Sequence, residues 1–449
     1  MFKISAEGFR GFQKQAALPV RPITLLIGEN SAGKTSFLAA IKFVVDLVSG
    51  NEEPSFNKDP FQLGTFDQIA HYRLGKSGRA KDFSISISAN VSRRDSGSLA
   101  KRDYRDIVYQ VNFKDIDSQS QIWRVKISDP TSSLQLDIAR TGLSLSFNNG
   151  SETRSLEKFR GLPRSVQANF SRYWMFILRD LRFRLANPTS RDQVEMFNND
   201  EDKKILDLAE FGDAISRYIG TGAIATSAIR TKPIRTYTPG KETEDGEGSH
   251  VPYELAKLFR LDRKNWSKIQ ESMIKFGVRS DMFSGVHVKA FGKSPSDPFQ
   301  IQLSFGGPRM NIADLGYGTS QVLPILYSMA TAPKNAMILV QQPEVHLHPR
   351  AQAALAEHFI SDFVENGRKL VLETHSDFLV DRFRLAIRRG VLKPDDVSVI
   401  FFQRSKLGTE ATHIEYDLSG DPIDAPEGFR EFFLEEELRL LGFDDVNHH

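Results

Sequence analysis

The spacing of apolar positions changes character several times along this chain. Phe2–Ser5 reads as a first strand, and the apolar run Ile23–Ile27 as a second that ends at Gly28. A glycine-containing loop follows, then a helix over about Lys34–Val48. Its apolar positions are Phe37, Leu38, Ile41, Val45 and Val48, and Gly50 stops it. From about Phe83 to Phe147 apolar and polar residues alternate, as in FSISISANV, IVYQVNF, QIWRVKI and LQLDI, which predicts half-buried antiparallel strands. From about Ser155 to Ile229 the spacing predicts helices. Thr238–His250 (TPGKETEDGEGSH) is polar and glycine-containing, which predicts a mobile surface loop. Strands resume at Val286. Helices from Thr319, Pro349 and Asp377 then alternate with strands from Met337, Lys369 and Val397, which predicts a largely parallel sheet flanked by helices.

Composition narrows the classes. The 449 residues are 40% apolar and 26% charged, ordinary globular material of about three domain equivalents. The absence of cysteine excludes a disulfide framework, a thiolate metal site and a cysteine nucleophile. Ile23–Ile27 and Ala336–Val340 are strand-length, far short of the roughly 20 residues of a membrane-spanning helix, and MFKISAEGFRGF has no apolar signal core. A cytoplasmic protein with no membrane partner is the expectation. The net charge of +2 hides an asymmetry. Arg154–Arg191 carries nine Lys/Arg against Glu157 and Asp180, a local +7, with Tyr173, Trp174, Phe176 and Phe183 interleaved. That segment reads either as an amphipathic helix with a solvated cationic face or as a DNA or RNA surface. Glu415–His449 carries eleven Asp/Glu against two Arg, a local −9 that suits docking on something basic.

Chemistry enters at Gly28–Thr35, GENSAGKT, which fits G-x-x-x-x-G-K-[ST] with an apolar strand before it and an amphipathic helix after it. The glycines let backbone N–H groups turn toward phosphate oxygens, and the helix places its positive end at the same spot. Asn30, Ser31, Ala32, Gly33, Lys34, Thr35 and Ser36 are the candidate nucleotide-binding residues. Lys34 would reach the β- and γ-phosphates, and the Thr35 hydroxyl would ligate Mg²⁺. Downstream, Met337–Val340 delivers Gln341-Gln342-Pro343-Glu344 at its end. Lys369–Glu373 delivers Thr374-His375-Ser376, and Asp314–Gln321 forms a second glycine-containing turn into a helix.

In this order the motifs resemble the ABC-class ATPases that include RecF, the structural-maintenance proteins and the OLD-type nucleases. They are closest to bacterial defence-island ATPases of the Septu and PARIS kind, which share the ETHSDFL-type switch and the segment GDPIDAPEGFREFFLEEELRLLGF. The resemblance covers about residues 1–68 and 286–442. It implies an α/β fold: a P-loop core with a mostly parallel sheet, an antiparallel β subdomain and a helical insertion. GENSAGKT would be Walker A, LGYGTSQ the signature, ILVQQPE Walker B, HLHP the D-loop region and His375 the switch. It further implies ATP and Mg²⁺ held between two subunits of a two-fold homo-oligomer, with Gly318, Thr319 and Ser320 of one chain capping the γ-phosphate on the other.

One departure stands out. Most relatives end the Walker B strand in two carboxylates, and here Gln341 and Gln342 occupy both places. An amide brings no charge to Mg²⁺ and cannot act as a base. Glu344 is then the candidate for positioning water or Mg²⁺, with Gln342 and His375 beside it and Thr35 and Gln341 toward the metal. Slow hydrolysis is the expectation, with Gln341→Glu raising turnover if charge at Mg²⁺ is limiting. His346 and His348 form an H-x-H pair with no third ligand by spacing, which reads as structural. Arg230–Arg235 lies just before the predicted mobile loop and could reach the nucleotide.

The expected organisation is residues 1–80 and 286–420 as two parts of the ATPase core, 81–150 as the β section, 151–285 as the helical insertion and 421–449 as an acidic helix. Three functional readings follow: a defence ATPase controlling a separate nuclease or toxin, a RecF-like DNA clamp, and an ATP-gated scaffold. About 70 residues follow the switch, too few for an OLD-type nuclease domain.

Overall fold

The computed structural model describes residues 1–14, 17–49, 54–72, 78–92, 104–139, 142–160, 204–205, 207–211, 215, 219, 222–240, 244–426 and 428–429. The chain opens on β1 (Phe2–Phe9), β2 (Phe12–Lys14), β3 (Leu18–Val20) and β4 (Ile23–Gly28), then α1 (Lys34–Ser49) and the single turn α2 (Phe66–Ile69). Six strands follow: β5 (Asp82–Ser92), β6 (Tyr104–Ile116), β7 (Gln119–Ser128), β8 (Ser133–Ala139), β9 (Gly142–Asn148) and β10 (Thr153–Arg160). After β11 (Ala223–Thr226) come helices α3 (Val251–Leu261) and α4 (Arg263–Ser280), then β12 (Gly285–Ala290), β13 (Phe299–Ser304) and β14 (Met310–Asn311). The last part alternates: α5 (Tyr317–Thr331), β15 (Met337–Gln341), α6 (Pro349–Asn366), β16 (Lys369–Glu373), α7 (Asp377–Arg388) and β17 (Val397–Ser405). It closes on β18 (Gly408–Tyr416) and β19 (Pro422–Ile423).

Among the described residues the central sheet has the order β11-β15-β16-β4-β17-β18-β19, parallel from β11 to β17 and antiparallel beyond. Both of its faces are buried, which is why its strands read as unbroken apolar runs. The pleat sorts them. Met337, Leu339, Val371 and Leu26 face the α1 side, whereas Ile338, Val340, Leu370, Leu372 and Leu25 face the core shared with α5, α6 and α7. The fold is therefore mixed α/β, with its P-loop strand inside a parallel sheet.

Helix α1 lies between this sheet and the antiparallel one. Phe37, Leu38, Ile41, Val45 and Val48 are all buried, as are Ala40, Val44 and Leu47 on its remaining faces. A helix apolar all round is one sandwiched between two layers. Its Lys42 and Asp46 pair four residues apart, at 2.5 Å, in the same buried layer.

The antiparallel section exceeds the expected 81–150 at both ends. β1 pairs with β5, and β2 and β3 pair with β1, so the first twenty residues belong to the same sheet. A boundary at 150 would cut the β9–β10 hairpin, in which Thr153 faces Asn148 and Arg160 faces Gly142. The helical reading from Ser155 is thus corrected by a strand to Arg160 and again by β11. Within Thr238–His250 residues 241–243 lie outside the described residues, and the end of the stretch is corrected: Gly246, Gly248 and His250 are buried. The Gly246 N–H donates to the Asp59 carboxylate and the Thr231 N–H to Glu247 O, so distant segments take up its backbone groups. Most of Arg154–Arg191 and everything after Phe429 lie outside the described residues. Among the described residues no helix is long and apolar enough to cross a membrane.

Candidate functional site

The phosphate loop grows out of β4 where its sheet neighbour crowds it. Gly28 has φ +125°, and a Cβ there would overlap the Phe402 carbonyl oxygen, which instead accepts the Glu29 N–H at 3.0 Å. Ser31 (φ +60°) and Gly33 (φ +104°) complete the curl into α1. Asn30, Ser31 and Thr35 are exposed, while Ala32 and Ser36 are buried. Lys34 is 4% exposed, and its Nζ donates to Gly28 O at 3.0 Å and Glu29 O at 2.7 Å. Burial lowers its pKa, and the charges of Glu373, Glu344 and Glu29 pull it back up.

Two carboxylates, not one, stand at this end of the sheet. The second was missed in the sequence. Thr35 Oγ1 lies 2.9 and 3.0 Å from the two oxygens of Glu373, the last residue of β16. The neighbouring Gln342 side chain also hydrogen-bonds Glu373, but burial dominates and raises its pKa. Glu344 follows a tight turn in which Gln342 takes φ +40° and donates its N–H to Glu373 O at 2.8 Å. The Glu344 oxygens accept from Thr374 Oγ1 at 2.9 Å and from the His375 N–H at 2.7 Å. Burial raises its pKa against the pull of those bonds and of Arg230. A carboxylate held closer to neutral pH in this way is a better proton acceptor. Gln341 is 7% exposed and its Nε2 has no hydrogen-bond partner.

The switch segment is held from both sides. Ser376 caps α7 by accepting the Leu379 N–H at 3.2 Å, and its hydroxyl donates to Gln352 of α6 at 2.5 Å. Thr374 is fully buried, whereas the His375 side chain is exposed at the tip. Desolvation, then the nearby Lys34 ammonium, lowers the His375 pKa, which favours the neutral imidazole.

Arg230 takes a different place from the one expected of it. Its Nη2 donates to Gln341 O at 2.7 Å and Gln342 O at 3.3 Å, so it braces the end of β15. Burial lowers its pKa to about 10, and Glu344 opposes this. Gln321 of α5 donates to Arg230 O at 3.3 Å, which ties the signature helix to the same corner. Arg235 pairs instead with exposed Asp314.

At the signature turn the two hydroxyl-bearing residues are largely buried. Thr319 and Ser320 are 7% and 6% exposed, and Ser320 Oγ donates to Tyr317 O at 2.8 Å. Gly316 and Tyr317 are exposed. Gly318 lies against the D-loop segment, where a Cβ would overlap His346 O, and the Tyr317 and His346 rings sit 5.9 Å apart. His348 caps α6 by accepting the Arg350 N–H at 3.3 Å. Among the described residues no three His, Cys, Asp or Glu cluster as metal ligands. Beside the loop opens a cavity of about 390 Å³ lined by Arg10, Ser31, Gly33, Ser36, Tyr72 and Arg79. The Arg79 guanidinium lies 5.3 Å from the centre of the Tyr72 ring.

Two family profiles match the chain. One described as "AAA domain" covers residues 3–217, and one described as "AAA domain, putative AbiEii toxin, Type IV TA system" covers residues 285–381. Between them they take in the phosphate loop, signature turn, Walker B strand and His375. Solved structures similar to the chain include the SmcHead bound to the C-winged helix domain of ScpA, with TM-score 0.48, 11% identity, and coverage of 92% of this chain and 97% of that one. Another is the Smc head domain with an extended coiled coil bound to the C-terminal domain of ScpA from Pyrococcus furiosus, with TM-score 0.45, 12% identity and 99% of each chain covered. A third is the SMC head domain from Thermotoga maritima, with TM-score 0.38, 9% identity, and coverage of 94% and 98%. No curated protein is matched by the sequence.

Proposed function

We propose that this AAA-domain P-loop ATPase is an ATP-gated switch. Two copies close on ATP and Mg²⁺, hydrolyse it slowly, and so control a separate nuclease or toxin in bacterial defence. The observation that carries this reading is the bond between Glu344 and the switch segment. It couples the group that would orient water to the residue that would sense the γ-phosphate. The loop N–H groups and Lys34 would hold the phosphates. His375, neutral at pH 7, would donate to the γ-phosphate, and Glu344 would orient the attacking water and take up its proton. The nucleoside end fits the cavity beside the loop, where Tyr72 and Arg79 offer a flat cationic face.

Mg²⁺ prefers oxygen donors and keeps several waters. Thr35 Oγ1 and the Gln341 amide oxygen suit it, and the Gln341 Nε2 has no hydrogen-bond partner. When bound, the ion neutralises charge on the transferred phosphate. The exposed end of the signature turn, Gly316 and Tyr317, would meet the partner's phosphate through backbone, because Thr319 and Ser320 are largely buried. The description of the family matching residues 285–381, "AAA domain, putative AbiEii toxin, Type IV TA system", is what suggests a toxin–antitoxin setting.

Purification with the products of neighbouring genes, followed by mass measurement with and without ATP, tests the reading. ATP is expected to double the mass and to retain a smaller partner. An unchanged mass overturns the switch, and a salt-sensitive DNA affinity that ATP strengthens replaces it with the clamp.

A further inference from the structure

We propose that Glu373 carries the metal-holding carboxylate that the Walker B strand of this chain lacks. The inference rests on the ATP–Mg²⁺ reading above and assigns it a residue outside the Walker B motif.

Strand order makes the substitution possible. β16 runs directly between β15 and β4, with Gln341 opposite Glu373 and Glu373 opposite Leu26. Parallel neighbours in register point to the same face, and alternation puts Gln341 and Glu373 on the α1 face with Leu339, Val371 and Leu26. A charge at Glu373 is therefore displaced by one strand spacing, about 4.8 Å, from a charge at Gln341, and it moves toward the phosphate loop. It reaches the Thr35 hydroxyl with both oxygens.

A purely structural role explains this arrangement poorly. Glu373 is 3% exposed, and among the described residues no Lys or Arg nitrogen contacts its oxygens directly. Its direct partners, Thr35 and Gln342, are neutral, and Lys34 Nζ is bonded to loop carbonyls. The Lys34 ammonium offsets part of the Glu373 charge through space, but burial still dominates. A divalent cation shared with Thr35 would supply a counter-charge in direct contact, which Lys34, bonded to loop carbonyls, does not. The glutamines then have a reason. With Glu373 and Glu344 already present, carboxylates at 341 and 342 would crowd four negative charges into one corner.

The test is binding of a fluorescent ATP analogue to the full chain, with Mg²⁺ and with EDTA. Wild type is expected to bind more tightly with Mg²⁺. Glu373→Gln should lose at least about tenfold of that gain and keep its EDTA affinity. The double variant Gln341→Glu/Glu373→Gln should recover the gain, whereas Gln341→Glu alone adds a third carboxylate and brings none. Glu373→Asp, which keeps the charge but retracts it, should lose part of the gain and serves if Glu373→Gln fails to fold. Full retention of the gain in Glu373→Gln or Glu373→Asp overturns the assignment, as does a double variant that recovers nothing. If wild type binds no nucleotide, or binds it equally with and without Mg²⁺, the ATP–Mg²⁺ reading itself falls and takes the assignment with it.

Discussion

At the phosphate end of the central sheet, Lys34, Thr35, Glu344, Glu373 and His375 arrive from three separate stretches of chain and are linked to one another through hydrogen bonds or charge. At the signature turn Thr319 and Ser320 are largely buried, and what remains exposed is Gly316 and Tyr317. The first region is complete within one chain. The second is shaped by its own packing against His346 and the Arg230 corner, and offers a surface to another molecule. Binding and assembly should therefore separate on mutation, since they draw on different regions of one chain.

The largest effect is expected at the complete end. Lys34→Ala should weaken ATP binding more than about 100-fold, because a buried cation aimed at phosphates is lost. Its hydrogen bonds go to loop carbonyls alone, so the melting temperature should stay within a few degrees. Normal ATP binding by this variant would remove the basis for the whole site. Next comes Glu344→Gln, expected to lower turnover by about 10²- to 10⁴-fold as a lost general base, with ATP affinity kept. A turnover within threefold of wild type would show that another group handles the water. Gly318→Ala belongs to the other region. Its new Cβ meets a backbone oxygen, an overpacking of about 1–3 kcal/mol that should displace the turn. ATP affinity should hold while ATP-driven mass increase falls severalfold; a parallel loss of both would erase the distinction between the two regions.

How far these regions were legible differs for the same reason. The phosphate loop, β15, β16 and α6 all showed in the sequence, because apolar runs and their flanking turns are local signals. Glu373 did not. Its partner Thr35 is 338 residues away, and only the placement of β16 between β15 and β4 brings them together. The alternation in KLVLE did carry a hint, since it puts Glu373 on the same face as Val371. Asp245–His250 misled through its polar composition, which hid that Asp59 and Thr231 bind its backbone. Arg230 looked like a phosphate ligand by charge, yet it is buried and its Nη2 is bound to the carbonyls of Gln341 and Gln342. In each case the deciding contact spans a distance that periodicity does not see.

The smallest expected effect sharpens the comparison through pH. His358 of α6 packs against Phe276 of α4, with ring centres 6.0 Å apart, and the positive charges facing it are Arg279, Lys275 and Arg368. Desolvation first, then those cations, push its pKa down to about 4 from 6.5. The unfolded chain therefore binds more protons than the folded one between these values, and stability present above pH 6.5 is lost as pH falls toward 4, by at most about 3 kcal/mol. The phosphate end has the opposite sign. Glu344 and Glu373 have pKa values raised by burial, so the folded state holds their protons more tightly and gains stability as pH falls through those raised values. His358→Leu should remove only the first contribution. Its melting temperature should match wild type within a few degrees at pH 7.5 and exceed it by several degrees at pH 5. Parallel melting curves for the two proteins across that range would mean that His358 is protonated in the folded state, and that the α4–α6 layer is more open to water than its packing indicates.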